Sequence, residues 1–242
     1  MEDLTIEDDM DIDDELVEFD LDTEIDGFDI SHGATSTRVE TAIAPIMRYP
    51  RPPARSVKCE RAADLAKNTP DLQPGEAMYV IVSGNFIFGD YIEALLVEKN
   101  AFAEEIMIAT LSLGSDNVDS LKNLVDGGFV GQLTLIVSDF WYAHERRKEG
   151  GVPYIMKYLG GENFTLAAAG LHTKVTLIKT RSGKHLVMHG SANLRSSRNI
   201  EQFVIENNED LYRFNAEWMG KIAEHFSANK KSLRGEKLWQ AL

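Results

Sequence analysis

The middle of the chain alternates apolar runs with amphipathic runs, and this alternation constrains the fold more than any other feature. Met78–Ser83, Glu105–Leu111 and Gln132–Ser138 are short and rich in aliphatic residues, as buried strands are. Between them, residues 90–99 and 115–125 have apolar residues at helical spacing, with a capping signal before the second helix and Gly-Gly after it. Strands that alternate with helices imply right-handed crossovers. We therefore predict an α/β fold with a mixed, largely parallel β-sheet flanked by helices.

The C-terminal half continues with more closely spaced strands and ends in an amphipathic helix. The predicted elements are strands at about Phe164–Ala168, Leu171–Lys179, Lys184–Gly190 and Ile200–Ile205 and a helix at Asp210–Phe226. The short polar turn Thr180–Gly183 predicts a hairpin between the second and third of these strands. An antiparallel hairpin is therefore expected within the same sheet.

The net charge of −14 comes from one end of the chain. Residues 1–30 contain 15 of the 39 acidic residues and no Lys or Arg, so the remainder carries 24 acids and 25 bases. We predict a disordered acidic tail over residues 1–30, a basic proline-rich linker over 31–75 and the folded domain over 76–242. Because the domain is nearly neutral, the acidic total does not exclude a nucleic-acid partner.

Length and cysteine content narrow the class of protein further. A chain of 242 residues with one cysteine suits a single sizeable domain without an internal disulfide framework. No signal peptide and no apolar run of membrane-spanning length is found in the sequence. We expect a soluble, cytoplasmic protein that does not bind membranes.

One constellation of residues indicates phosphate chemistry. His172 and Lys174, two residues apart on a predicted strand, would project from the same face. Gly190, after the hairpin, permits a tight turn and the close approach of an anion. Ser191 and Asn193 then add a hydroxyl and an amide, so that one nucleophile or base is surrounded by phosphate donors. We predict that Lys174, Ser191 and Asn193 bind phosphate.

Glu201 lies on the next predicted strand and completes the set. A carboxylate bonded to one imidazole nitrogen would fix the tautomer of His172 and make the other nitrogen a better nucleophile. Catalytic roles are therefore predicted for His172, Lys174 and Glu201. A zinc site formed by His172, His185 and His189 has no recognisable ligand spacing, so no metal and no cofactor are expected.

The motif His172-x-Lys174, with Gly190-Ser191-x-Asn193 and Glu201, resembles the HKD signature of the phospholipase D superfamily. The resemblance implies a phospholipase D-like sheet, a covalent phosphohistidine on His172 and metal-independent cleavage of a phosphodiester. It also implies a homodimer, because family members with one motif per chain typically pair so that a second histidine protonates the leaving group. Lys179 stands where the family usually has Asp.

We expect the substrate to be DNA or RNA. Residues 171–242 carry 12 bases and 7 acids, and Arg195, Arg198 and His189 are candidate nucleic-acid contacts. One alternative is a catalytically weak nucleic-acid-binding module, which Lys179 favours; another is a phospholipid phosphodiesterase. A third is an interaction protein whose acidic tail binds a protein partner. The tail is also predicted to mimic phosphate and to compete for the site.

Overall fold

A computed structural model describes residues 58–59, 62–82, 86–194 and 200–228. The predicted acidic tail and most of the predicted linker lie outside these residues. Eight strands form one sheet in the order β1-β2-β8-β7-β6-β3-β4-β5. The strands are β1 Lys58–Cys59, β2 Ala77–Val82, β3 Ala103–Thr110, β4 Val130–Ser138, β5 Phe164–Ala169, β6 Val175–Thr180, β7 His185–Gly190 and β8 Glu201–Asn207.

The predicted α/β class and mixed sheet are confirmed, although parallel pairing is less extensive than predicted. Only β1–β2, β3–β4 and β4–β5 are parallel, and the other four neighbouring pairs are antiparallel. β2 and β3 follow each other in the chain but are not neighbours in the sheet. Instead the β6–β7 hairpin and β8 lie between them, because β6 pairs with the free edge of β3.

Helices cover both faces of the sheet. They are α1 Ala62–Asn68, α2 Phe88–Glu98, α3 Ser115–Asp126, α4 Asp139–Glu145, α5 Val152–Tyr158 and α6 Glu209–His225. Residues of α1, α2, α3 and α5 share one apolar cluster with Ile106 and Ile108 of β3. On the other face, Tyr212, Met219 and Ile222 of α6 pack with Leu177 and Val187. Burial of both faces explains why the strands are apolar along their length.

The folded domain begins before residue 76. Leu65 and Ala66 of α1 are fully buried, and Leu72 is 4% exposed. The described end of the segment predicted as linker therefore contributes to the core, because α1 places an apolar face against α2.

In the described part of the chain, no helix has the length and apolar character needed to cross a bilayer.

Candidate active site

Six strands begin or end along the same edge of the sheet, the edge that runs across the strands and is formed by their ends. β3, β4 and β5 end there, β6 begins there, β7 ends there at Gly190 and β8 begins there at Glu201. Parallel neighbours end at the same edge, whereas antiparallel neighbours alternate, so residues distant in sequence meet. A cleft at this edge is lined by Thr110, Lys174 and Gly190, together with Phe203 and Leu194.

His172 and Lys174 are in contact at this edge. The prediction that both lie within a strand is wrong, because β6 begins at Val175 and they belong to the connection that precedes it. The two side chains nevertheless meet: Lys174 Nζ lies 3.1 Å from His172 Nδ1 and donates to the His172 carbonyl oxygen at 2.9 Å. His172 is exposed and Lys174 is half-buried. The imidazole is therefore accessible from solvent beside an ammonium group.

The ammonium of Lys174 is held in an unfavourable environment. Burial lowers the pKa of Lys174, and the negative charge of Glu201 opposes this shift. Among the described residues, no ion pair includes Lys174. A bound anion would supply the missing opposite charge, so this edge favours anionic ligands.

Glu201 contacts Ser191. Ser191 Oγ donates a short hydrogen bond to Glu201 Oε2, and the Gln202 backbone amide donates to Ser191 Oγ at 3.1 Å. The predicted hydrogen bond between Glu201 and His172 is not among those of the described residues. Ser191 and Glu201 are therefore joined by a hydrogen bond. The negative charge of Glu201 acts on Lys174 through space.

Gly190 is required by the neighbouring strand. A Cβ atom on Gly190 would lie 2.2 Å from the carbonyl oxygen of Gln202 and 2.6 Å from Cα of Phe203. Both contacts are with the backbone of β8, which cannot move away without breaking the β7–β8 ladder. The absence of a side chain at Gly190 lets the end of β7 pack against the start of β8, and this places Ser191 next to Glu201.

Asn193 lies in the loop that follows β7. Its Oδ1 atom is buried and has no hydrogen-bond partner among the described residues. Its neighbour Leu194 donates its backbone amide to Thr110 Oγ1 at 3.2 Å. Thr110 is 1% exposed and ends β3, and it also donates to the Ser112 carbonyl oxygen at 3.0 Å. Sequence reasoning missed Thr110, although a hydroxyl at the end of an apolar strand was a usable signal.

The remaining predicted contacts are distributed differently. His189 is half-buried, and its Nε2 atom lies 3.1 Å from Glu206 Oε1. Arg195 and Arg198 lie outside the described residues. His185 is at the opposite end of β7, where its ring contacts that of Tyr212 at 5.0 Å. The histidine that meets Lys174 is therefore His172, as the motif predicted.

Lys179 is remote from the site. It lies five residues beyond Lys174, roughly 16 Å along an extended strand, and forms an ion pair with Glu104 at 3.1 Å. Lys179 therefore contributes no group to the surroundings of His172. In the part of the chain that the structure describes, no cluster of three His, Cys, Asp or Glu side chains is arranged to hold a metal ion.

Comparison with known proteins gives similarity in fold. No family model matches the chain, and no curated protein matches its sequence. The solved structure of Nuc from Salmonella typhimurium, a phospholipase D family member, is 15% identical with a TM-score of 0.43, over 63% of this chain and 97% of that one. NucT from Helicobacter pylori is 17% identical with a TM-score of 0.43, over 63% of this chain and 99% of that one. The archaeal chromatin protein TrmBL2 is 15% identical with a TM-score of 0.41, over 62% of this chain and 53% of that one. Each of these likenesses is one of fold alone.

Proposed function

We propose that this protein is a metal-independent phosphodiesterase that cleaves DNA or RNA through a covalent phosphohistidine on His172. The observation that carries the proposal is the contact between His172 and Lys174, 3.1 Å apart at an open edge of the sheet. A histidine nucleophile next to an unpaired ammonium suits attack on an anionic phosphodiester. The loop with Ser191 and Asn193 lies at the same edge.

The proposed reaction has two displacements. In the first, a ring nitrogen of His172 attacks phosphorus, the P–N bond forms, and the bond from phosphorus to the leaving oxygen breaks. The leaving oxygen takes up a proton, which the family resemblance assigns to the second His172 of a two-fold dimer. In the second, water attacks phosphorus and gives a proton to the histidine that protonated the leaving oxygen, the P–N bond breaks, and His172 is regenerated with release of a phosphate monoester.

The other residues stabilise charge at phosphorus. Lys174 acts as a point charge on the non-bridging oxygens, whereas Ser191 and Asn193 offer a hydroxyl and an amide as donors. Glu201 is proposed to hold the His172 tautomer once substrate displaces its present hydrogen bond to Ser191. The four side chains thus divide positioning and charge stabilisation around one nucleophile.

Nucleic acid is favoured over phospholipid by charge. Residues 171–242 carry 12 bases against 7 acids, and phosphate backbones bind chiefly to Lys and Arg. We therefore place nucleic acid first as the substrate class.

The test is cleavage of labelled DNA and RNA by the purified full chain in EDTA. His172→Ala is expected to abolish cleavage. His185→Ala is the matched control, because His185 lies on the same sheet at its opposite edge, and it should retain activity. Cleavage that persists in His172→Ala, or that EDTA removes, would overturn the proposal. Release of headgroup from phosphatidylcholine vesicles without nucleic-acid cleavage would show that the substrate of this reaction is a phospholipid.

A further inference from the structure

Helix α4 begins directly beside the segment that carries His172. Its preceding residue, Ser138, is the register partner of Ala169 on β5. Asp139 Oδ2 lies 3.7 Å from the position that a Cβ atom on Gly170 would occupy. His172 follows Gly170 by two residues. From chain geometry, the backbones of Asp139 and His172 are therefore within about 15 Å of each other.

An aromatic pair on α4 faces solvent. Phe140 is 51% exposed. Its ring lies 4.3 Å from the ring of His144, one helical turn later, and His144 is also exposed. His144 Nδ1 is 3.0 Å from the Phe140 carbonyl oxygen, which orients the imidazole. The two ring planes are tilted by 42° to each other, and both residues are open to solvent.

The position of this pair is fixed by the sheet. Ser138 Oγ accepts from the Trp141 backbone amide at 3.0 Å and donates to the Leu111 carbonyl oxygen at 2.9 Å. The first interaction caps α4, and the second attaches the cap to the end of β3. The Asp139 carboxylate accepts from the Phe140 amide at 2.7 Å. The aromatic pair is therefore held at a set place relative to the site.

Cationic side chains follow the aromatic pair. Arg146 and Arg147 are exposed, and neither takes part in an ion pair within the described ranges. Lys148, by contrast, is neutralised by Glu145 at 2.7 Å. Aromatic rings with adjacent unpaired guanidinium groups are the combination by which proteins bind single strands, through base stacking and phosphate contacts.

We propose that Phe140 and His144 form a stacking platform for an unpaired base, and that Arg146 and Arg147 bind phosphates of the same strand. This inference rests on the proposed function and specifies its substrate as single-stranded nucleic acid. A base inside a duplex has both faces covered by its neighbours, so only an unpaired base can use the platform. The start of α4 lies within about 15 Å of the backbone of His172, which a short single strand can span.

The test is binding to a fluorescein-labelled single-stranded dT12 and to a 12-base-pair duplex, measured by anisotropy. All variants are made in full-length His172→Ala protein, so that binding is read without cleavage. Phe140→Ala is expected to weaken dT12 binding roughly ten-fold and to leave duplex binding unchanged, whereas Phe140→Trp should restore it. Replacing Arg146 and Arg147 by Ala should weaken binding and reduce its salt dependence.

Phe214→Ala is the matched control. Phe214 is 68% exposed on α6, which covers a face of the sheet, and it is outside the platform. An unchanged dT12 affinity in Phe140→Ala, or equal losses in Phe140→Ala and Phe214→Ala, would overturn the platform. Loss of duplex affinity equal to that of dT12 would do so too. Platform-dependent binding in a protein that cleaves no phosphodiester would refute the proposed function and retain this inference.

Discussion

The backbone amide of Leu194 donates a hydrogen bond to the buried hydroxyl of Thr110, 3.2 Å away, and so attaches the loop after β7 to the end of β3. Leu194 is itself 2% exposed, and on the other side of Asn193 the Ser191 backbone amide donates to the Gln202 carbonyl oxygen at 2.9 Å, so the loop is anchored on both sides of Asn193. The phosphate-binding loop of the proposed site is therefore positioned by a strand more than 80 residues earlier in the chain.

Replacing Thr110 by Val tests this anchor. Valine keeps the volume but leaves the buried Leu194 amide without a partner, which should destabilise the fold by about 1–2 kcal/mol. Urea unfolding measures the loss. We also expect kcat for nucleic-acid cleavage to fall more than KM changes, because the loop holds Asn193. Thr134→Val on β4 is the control; similar kinetics in the two variants would argue against a positioning role.

Gly190→Ala should destabilise the protein by about 2–3 kcal/mol, at the upper end of the range for overpacking. The added methyl group would lie 2.2 Å from the backbone oxygen of Gln202 and would force β7 and β8 apart. Gly220→Ala in α6 should change the stability in the opposite direction. Its Cβ would meet nothing within 4 Å, and alanine in a helix should stabilise by about 0.5–1 kcal/mol. Denaturant midpoints compare the two variants, and equal shifts would contradict the predicted clash.

Because of Tyr212, we expect the free energy of unfolding to fall in alkaline solution. Burial, and then its hydrogen bond to Glu105 at 2.7 Å, raise the pKa of the Tyr212 phenol. The folded state keeps this proton when the unfolded chain releases it near pH 10, so stability falls as pH rises above that value. Tyr212→Phe should cost about 1 kcal/mol at neutral pH. It should also flatten the decline between pH 9 and 11, measured by urea unfolding. An unchanged slope would show that Tyr212 ionises normally.

Glu201→Gln should lower the pH above which the protein loses its affinity for nucleic acid. The charge of Glu201 raises the pKa of Lys174 against the effect of burial, so its removal lowers that pKa further. Lys174 then loses its proton, and its attraction for phosphate, at a lower pH. Anisotropy with dT12 between pH 7 and 10.5, in the His172→Ala protein, measures the shift. Glu206→Gln, which removes the charge of the partner of His189, is the control and should not change that pH.

Deletion of residues 1–30 tests the predicted competition by the acidic tail, which lies outside the described residues. Removing 15 acidic residues should increase nucleic-acid affinity at low salt and have less effect at high salt, where screening already weakens the tail. Binding of the full and shortened chains at 50 and 300 mM NaCl gives the comparison. Equal affinities at both concentrations would leave the tail a solubilising segment.

Local patterns in the sequence predicted much of the fold and the centre of the site. Buried strands and capped helices follow from the spacing of apolar residues, which each segment carries within itself. His172 and Lys174 meet because they are two residues apart, even though the strand begins later than predicted. The sequence did not predict the order of the strands in the sheet, because the pairing of β6 with β3 joins distant segments of the chain.

The sequence alone determined the α/β class, the position of the motif and the concentration of negative charge in the first 30 residues. Only the tertiary structure decided that Glu201 contacts Ser191, that Thr110 anchors the loop and that α4 begins beside Gly170, two residues before His172. Each of these relationships joins segments separated by 10 to 84 residues. They arise because parallel and antiparallel strands bring their ends to one edge of the sheet, a property of the assembled ladder that no single segment encodes.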